Sequence, residues 1–237
     1  MIFPSASHIY NCMNVRSEGG QGTAFLYGTG AKTFFLTARH VLGGSAPDGF
    51  IYLKKDGDWE AYMLTMVEHH AGGQDLSAFA IKGLKTKVDY AFSSSQDPKV
   101  YPGQEVKFTG FPHGLENTII SPNGFSTPLV RTAFLSGLIV QESGLNLLIL
   151  DGLNNPGYSG GPIWAPGPSV ENPSLLGVVS GYRVELKSKS RVYKDRGDGT
   201  EEILPDMFIK PNSGMIHAIP YADVISLTSS IKVYNYK

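Results

Sequence analysis

Apolar and polar residues alternate along short runs of this chain, and each run stops at a glycine, a proline or a polar cluster. Period-2 alternation places one face of an extended segment on a core and the other in solvent. The runs Thr23–Tyr27, Thr33–Thr37, Phe50–Lys54, Tyr62–Glu68, Ser77–Ile81, Glu105–Gly110, Phe134–Gln141, Leu147–Asp151, Gly161–Trp164, Leu176–Tyr182 and Gly214–Ile219 therefore read as strands. Twenty-eight glycines and fifteen prolines supply the turns between them. Two segments break the pattern. Ala38–Leu42 has the length of a single helical turn. Tyr221–Ser229 sets Tyr221, Val224, Ile225 and Thr228 at helical spacing after Pro220, which suits a helix start because the first helical N–H needs no partner. Many short strands, few helices and frequent turns predict an all-β fold, a sandwich or barrels.

Two stretches are polar. Gln96–Pro102 contains two prolines and marks the expected division into residues 1–95 and 96–237. Arg183–Ser213 mixes Lys, Arg, Asp and Glu with Gly197 and Gly199, and reads as a long surface loop. Of the 237 residues, 41% are hydrophobic and 17% charged, so a packed core is expected rather than disorder. The net charge of −1 gives no basic footprint for nucleic acid. No apolar run approaches a membrane span. Cys12 is the only cysteine, so no internal disulfide forms. It is expected to act as a small hydrophobe. With no leader-like start at Met1, the chain is expected to be cytoplasmic.

The chemistry gathers in three segments. Asp151-Gly-Leu-Asn-Asn-Pro-Gly-Tyr-Ser-Gly-Gly-Pro162 flanks Ser159 with glycines at a turn before an apolar strand. Glycine lets the backbone bend so that neighbouring N–H groups converge. Gly157 and Ser159 are the candidates for such a pair, facing a developing oxyanion. An ordinary glycine-rich hairpin would use the same residues. In Phe34–Leu42 an apolar strand runs into a turn that presents His40, and in Gln74–Ile81 Asp75 stands at the mouth of a strand. Each alone reads as structural. Together they supply a nucleophile, a base and a group to fix the tautomer of the base, in the order His, Asp, Ser. The nucleophile elbow of α/β-hydrolases expects the order Ser, Asp, His, with strands and helices alternating.

At these residues the chain resembles trypsin-like serine peptidases, in particular their bacterial high-temperature-requirement branch. Thr37-Ala-Arg-His-Val resembles T-A-x-H-V, and Asp75-Leu-Ser-Ala-Phe-Ala-Ile resembles D-L-A-V-L-x-I. Asp151 to Pro162 resembles D-A-x-x-N-P-G-N-S-G-G-P. Gly103-Gln-Glu-Val-Lys-Phe-Thr-Gly-Phe-Pro-His-Gly, Leu176-Gly-Val-Val-Ser-Gly and Gly214-Met-Ile-His-Ala-Ile-Pro give weaker echoes. The resemblance runs from about Gly22 to Tyr221. It implies two six-stranded antiparallel β-barrels of the chymotrypsin fold with a short C-terminal helix. It further implies an endopeptidase that cleaves protein or peptide substrates through an acyl-enzyme, without metal or cofactor. His40 would be the base, Asp75 its orienter and Ser159 the nucleophile, with Gly157 and Ser159 as oxyanion hole. Leu153 would floor the specificity pocket, and Gly181, Tyr182, Gly214 and Ile216 would wall it.

The chain also departs from the family pattern. Tyr158 stands where proteolytically activated branches carry an acid, so activation by a freed N-terminus is not expected. The branch's peptide-binding domain is not expected after Tyr221. The matched pocket positions carry no charge, which argues against cleavage after Lys or Arg and for small or medium apolar residues. His69 and His70 near Asp75 fit no zinc spacing and read as a solvated loop. His113 reads as a loop residue and His217 as a strand residue. Two rival readings remain: a catalytically silent binding module on the same fold, and an effector protease that a regulatory partner switches on.

Overall fold

Phe35 and Phe79 sit opposite each other on neighbouring strands, their rings stacked at 5.0 Å between centroids. Pairs of this kind line a barrel built from β1 (Cys12–Ser17), β2 (Gly20–Thr29), β3 (Lys32–Thr37), β4 (Phe50–Lys55), β5 (Asp58–His69) and β6 (Ser77–Ile81). The strands run in the order β1-β4-β5-β6-β3-β2, and β2 pairs back with β1 to close the ring. A short β7 (Phe92–Ser93) adds to β2 in parallel. Val15, Leu26, Val41, Ile51, Leu53 and Leu64 fill the barrel with Phe35 and Phe79. Each such side chain taken fully out of water contributes about 1.5–3 kcal/mol. In this computed structural model the described residues are 6–29, 32–83, 92–93, 101–121, 124–169, 172–184, 190–197, 200–209 and 211–231.

The second barrel takes β8 (Glu105–Gly110), β11 (Leu129–Val140), β12 (Asn146–Asp151), β13 (Pro162–Ser169), β14 (Asn172–Val184) and β17 (Asn212–Pro220), closed in the order β11-β12-β17-β14-β13-β8. The small pair β9 (Asn117–Ile120) and β10 (Ser126–Thr127) lies between β8 and β11 in sequence. Val106, Phe108, Leu135, Leu150, Ile163 and Ile216 fill this core. Between the barrels, Phe25, Tyr27, Leu36 and Leu76 of the first meet Phe111, Trp164, Val178 and Ile219 of the second. The predicted C-terminal helix is present, with α1 (Ala6–Tyr10) and the single turn α2 (Arg39–Leu42) before it. As α3 (Tyr221–Ser230) it buries Tyr221, Val224, Leu227 and Thr228. The fold is therefore the two-barrel, mostly-strand architecture expected of a chymotrypsin-like chain. The expected division between residues 95 and 96 lies outside the described residues.

Two expectations need correction. The stretch Arg183–Ser213 is not a structureless loop. It contains an antiparallel hairpin of β15 (Ser190–Asp195) and β16 (Glu201–Ile209), in which Tyr193 faces Ile203 and Val192 faces Leu204. Charges at Lys194, Asp195, Glu201 and Glu202 dilute the alternation, because both faces of these strands are exposed at that end. The predicted runs also lack the short β7, β9 and β10 and, among the barrel strands, β1. Asn14 interrupts its apolar pattern yet is buried, its side chain donating to Glu116 Oε1 at 2.9 Å and accepting from Gln21 Nε2 at 2.9 Å.

Candidate active site

Strand β3 delivers the chain to α2, whose Val41 and Leu42 are buried in the first-barrel core while Arg39 and His40 stay exposed. The turn is thereby fixed with His40 facing outward. Asp75 holds it from the β5–β6 connection in three ways. Its carbonyl accepts from Arg39 N at 3.1 Å, its Oδ1 accepts from His40 N at 2.9 Å, and its Oδ2 lies 2.7 Å from His40 Nδ1. A ring nitrogen bonded to a carboxylate is the protonated one, which leaves Nε2 as the free base of the neutral imidazole.

The same contact sets the electrostatics. The hydrogen bond to Asp75 raises the His40 pKa above its ordinary value; burial opposes this, and the Asp75 charge adds to it. Burial pushes the Asp75 carboxyl up, but hydrogen bonds from the His40 ring, the Ser180 hydroxyl and the His40 amide together hold it below the usual carboxylate range. Ser180 Oγ donates to Asp75 Oδ2 at 2.6 Å from strand β14 of the other barrel. Ser180 directly follows Gly177-Val-Val in β14, and local sequence does not single it out; its contact with the other barrel is what distinguishes it.

Ser159 sits on the turn before β13. Gly157 adopts φ +106° and Gly160 φ +85°, conformations that favour glycine. A Cβ on Gly157 would run into the Phe111 carbonyl, and one on Gly160 into the Thr23 carbonyl. Both barrels grip this turn. Thr23 N donates to Ser159 O at 2.8 Å, Thr23 Oγ1 donates to Gly157 O at 2.7 Å, and Gly160 N donates to Val179 O at 2.7 Å. Thr23 is a second residue that local sequence did not single out.

The Pro156 carbonyl accepts from His113 N at 2.7 Å, with His113 held at φ +52°. In a trans peptide the N–H opposes the C=O. The Gly157 N–H is thus turned away from His113. Neither it nor the Ser159 N–H donates to another group among the described residues. Ser159 Oγ itself donates to the Ser180 carbonyl at 3.0 Å, and a Ser159–His40 hydrogen bond is not formed among the described residues. Ser180 therefore touches both Asp75 and Ser159.

The expected pocket residues occupy adjoining strands. Tyr182 pairs with Ile216 and Gly181 with His217 across β14 and β17. Gly152 N donates to Gly214 O at 2.9 Å, and Asn154 Nδ2 donates to Gly181 O at 3.0 Å, so the segment around Leu153 is tied to both strands. The Leu153 side chain is 53% exposed, and Ile216 is wholly buried in the second-barrel core. Arg131 Nη1 donates to the Leu153 carbonyl at 2.6 Å, with its guanidinium 5.9 Å from the Tyr158 ring. Tyr158 is fully buried, edge-on to Phe108 at 4.9 Å.

The two histidines expected in a solvated loop are not so placed. His69 Nδ1 pairs with Ser77 Oγ at 2.7 Å, and His70 is 8% exposed. Packing under Gly72 takes His70 out of water. Among the described residues no group of three or more His, Cys, Asp or Glu side chains is arranged to hold a metal. No helix there is long and apolar enough to cross a membrane. Cys12 is buried, and burial pushes its thiol up to about 12, against a hydrogen bond with Thr109.

Comparison with solved structures gives three informative neighbours. Rv3671c from M. tuberculosis H37Rv, in an inactive mutant form, aligns with a TM-score of 0.57 at 15% identity over 97% of this chain and 92% of its own. The HtrA-type protease AlgW, solved with a tripeptide, gives 0.59 at 18% identity over 95% of this chain; this chain spans 61% of AlgW. The MamO protease domain from Magnetospirillum magneticum gives 0.55 at 16% identity, over 96% and 99%. These likenesses establish the fold. Comparison with curated protein sequences gives no match. A family model for the trypsin-like peptidase domain matches residues 22–167. That match spans more than half of the chain and includes His40, Asp75 and Ser159, so the chain belongs to the trypsin-like peptidase family.

Proposed function

We propose that this protein is a serine endopeptidase with His40, Asp75 and Ser159 as its triad. The observation that carries the reading is the Asp75 carboxylate, which accepts from the His40 ring at 2.7 Å while Ser180 bridges it to the Ser159 side of the cleft. Ser159 Oγ turns from the Ser180 carbonyl to His40 Nε2, gives up its proton there and attacks the substrate carbonyl carbon. The resulting oxyanion accepts from the Gly157 and Ser159 N–H groups. His40 returns the proton to the leaving amine, the C–N bond breaks, and an acyl-enzyme remains. Water then enters by the same route and releases the acid.

The substrate is a polypeptide, and the residue before the cut is small or medium and apolar. Arg131, anchored on the Leu153 carbonyl, adds a reason against cationic residues at that position: like charges brought together in a partly desolvated site repel. AlgW was solved with a tripeptide, in keeping with this substrate class. One observation favours a partner-activated form of the same enzyme: Ser159 Oγ rests on Ser180 O rather than on His40. A partner or substrate that occupies the Ser180 carbonyl would release the hydroxyl toward the base.

The test is labelling by a fluorophosphonate probe, wild type against Ser159→Ala. Labelling of the wild type alone supports the nucleophile. Equal labelling of both removes Ser159 from that role. No labelling until a protein substrate or partner is added supports the activated form.

A further inference from the structure

The carboxylate of Asp223, in the first turn of α3, reaches both ends of the loop that carries Asp75. Its Oδ2 accepts from Gln74 Nε2 at 2.9 Å, and its Oδ1 lies 3.5 Å from His70 Nε2. Gln74 also donates to the carbonyl of Asn146, at the start of β12, at 2.8 Å. Gln74 is 3% exposed and His70 is 8% exposed. The loop between them is closed by His70 N to Leu76 O at 3.0 Å and by Gly73 N to His70 O at 3.1 Å. A Cβ at Gly72 would stand 2.9 Å from His70 Cε1, so the loop backbone lies directly on that ring.

This arrangement crosses the barrels. The loop belongs to the first barrel, whereas Asn146 belongs to the second and Asp223 to the helix that follows it. The residue after Gln74 is Asp75, whose carbonyl and carboxylate together hold the α2 turn and His40. A shift of Gln74 moves both of those contacts. Asp223 has no Lys or Arg partner among the described residues. A partly buried carboxylate held by an amide and an imidazole, with no Lys or Arg beside it among the described residues, is an expensive way to build simple packing, and a geometric role accounts for it.

We propose that Asp223 is a positioning residue for the Asp75–His40 pair, acting through Gln74 and His70, so that the C-terminal helix sets the geometry of the site. The inference rests on the serine-peptidase reading for its kinetic consequence, but not for its structural one. The experiment uses the full chain with Asp223→Asn and Gln74→Met. The first keeps the shape of the side chain and removes its charge. The second keeps the size and removes both amide hydrogen bonds, while leaving Asp223 beside His70. Three quantities are read: melting temperature, the split between kcat and KM on a peptide substrate, and the low-field proton resonance of the His40–Asp75 hydrogen bond at a pH where His40 is protonated.

Both variants are expected to lose about 10- to 100-fold in kcat with little change in KM, the scale of a small misplacement of catalytic groups, and to shift or broaden the low-field resonance. Asp223→Glu is expected to recover part of the loss. Wild-type kcat with an unmoved resonance overturns the proposal, whatever happens to the melting temperature, because the contact is then structural only. If Asp223→Asn does not fold, Gln74→Met decides by the same criteria. If the wild type hydrolyses nothing but the resonance moves in the variants, the positioning role stands and the peptidase reading fails.

Discussion

Thr23, on the first barrel, donates its amide to the carbonyl of Ser159, on the second, at 2.8 Å. Its hydroxyl donates to Gly157 O at 2.7 Å and also lies 3.3 Å from Phe111 N. One wholly buried residue thus fixes the backbone on both sides of Tyr158. His40 and Asp75 come from the barrel that carries Thr23, so this contact registers Ser159, the proposed nucleophile, against His40, the proposed base.

Thr23→Val keeps the shape and the amide bond but deletes the hydroxyl. Among the described residues it leaves the Gly157 carbonyl with only the 3.4 Å bond from Phe111 N. Loss of a buried hydrogen bond of this kind is expected to cost about 1–3 kcal/mol. Because the proposed oxyanion hole moves with Gly157, kcat is expected to fall by more than the binding constant rises. Chemical denaturation and steady-state kinetics on the same preparation check both parts. A destabilised variant with unchanged kcat would confine Thr23 to packing.

The pH profile follows from the His40–Asp75 contact. A base acts only when neutral, and Asp75 holds the His40 pKa above its ordinary value of about 6.5. The acid limb of kcat/KM is therefore expected to have its midpoint above that value. Asp75→Asn removes the charge and puts an N–H donor in place of the oxygen that faces His40 Nδ1, so the midpoint moves down while the rate falls by about 10⁴-fold through the wrong tautomer. The linkage to stability has a definite sign. A raised folded pKa stabilises the fold fully below the unfolded pKa, and the gain is lost as pH rises through the folded value. The Asp75 contribution, from a lowered pKa, is present above the unfolded carboxyl pKa and lost as pH falls through the folded one. Melting temperature against pH, compared between wild type and Asp75→Asn, measures both.

His40, Asp75 and Ser159 were legible in sequence because each is embedded in a local pattern: an apolar strand into a turn, a strand mouth, a glycine-flanked serine. Ser180 and Thr23 were not. A hydroxyl within a strand looks like any β-former, and what distinguishes these two is a partner on the other barrel, more than a hundred positions away. Strand number and spacing pointed to an all-β fold, a sandwich or barrels, and the family resemblance implied the two barrels that are observed. Strand β1 escaped because Asn14 is polar yet buried, satisfied by Glu116 and Gln21 from separate segments. The β15–β16 hairpin escaped because an exposed two-stranded sheet need not bury an alternate face, so its sequence carries only a weak period. His70 was misread for a related reason: nothing local reveals that Asp223 and the Gly72 backbone close over it.

Arg131 offers a test of specificity. Its guanidinium holds the Leu153 carbonyl and faces the Tyr158 ring. Arg131→Gln retains a donor of shorter reach and removes the charge. Cleavage after basic residues is expected to rise relative to cleavage after apolar ones, by about tenfold in kcat/KM if one desolvated charge contact is relieved. A peptide library differing only at the residue before the cut reads the ratio directly. An unchanged ratio with reduced stability would place Arg131 outside the pocket's field.

The last prediction concerns His113, which holds the Pro156 carbonyl through its backbone and not its side chain. The residue is exposed and sits at φ +52°, in the left-handed region. Glycine occupies that region freely, asparagine tolerates it, and β-branched residues are outliers there. The backbone N–H of any of them would suffice for the 2.7 Å bond, provided the conformation is kept. His113→Gly and His113→Asn are therefore expected to retain wild-type kcat, which excludes acid–base work by the imidazole. His113→Val is expected to disfavour the turn by about 1–3 kcal/mol. It would free the Pro156–Gly157 peptide to rotate and withdraw the Gly157 N–H from the oxyanion position. Loss of one such donor lowers kcat by about 10²- to 10³-fold, and a peptide boronate that mimics the tetrahedral intermediate should weaken in step while the ground-state KM holds. If His113→Val kept full activity, the 113–156 contact would be a bystander. If His113→Gly lost activity, the side chain would have a role that its exposure does not suggest.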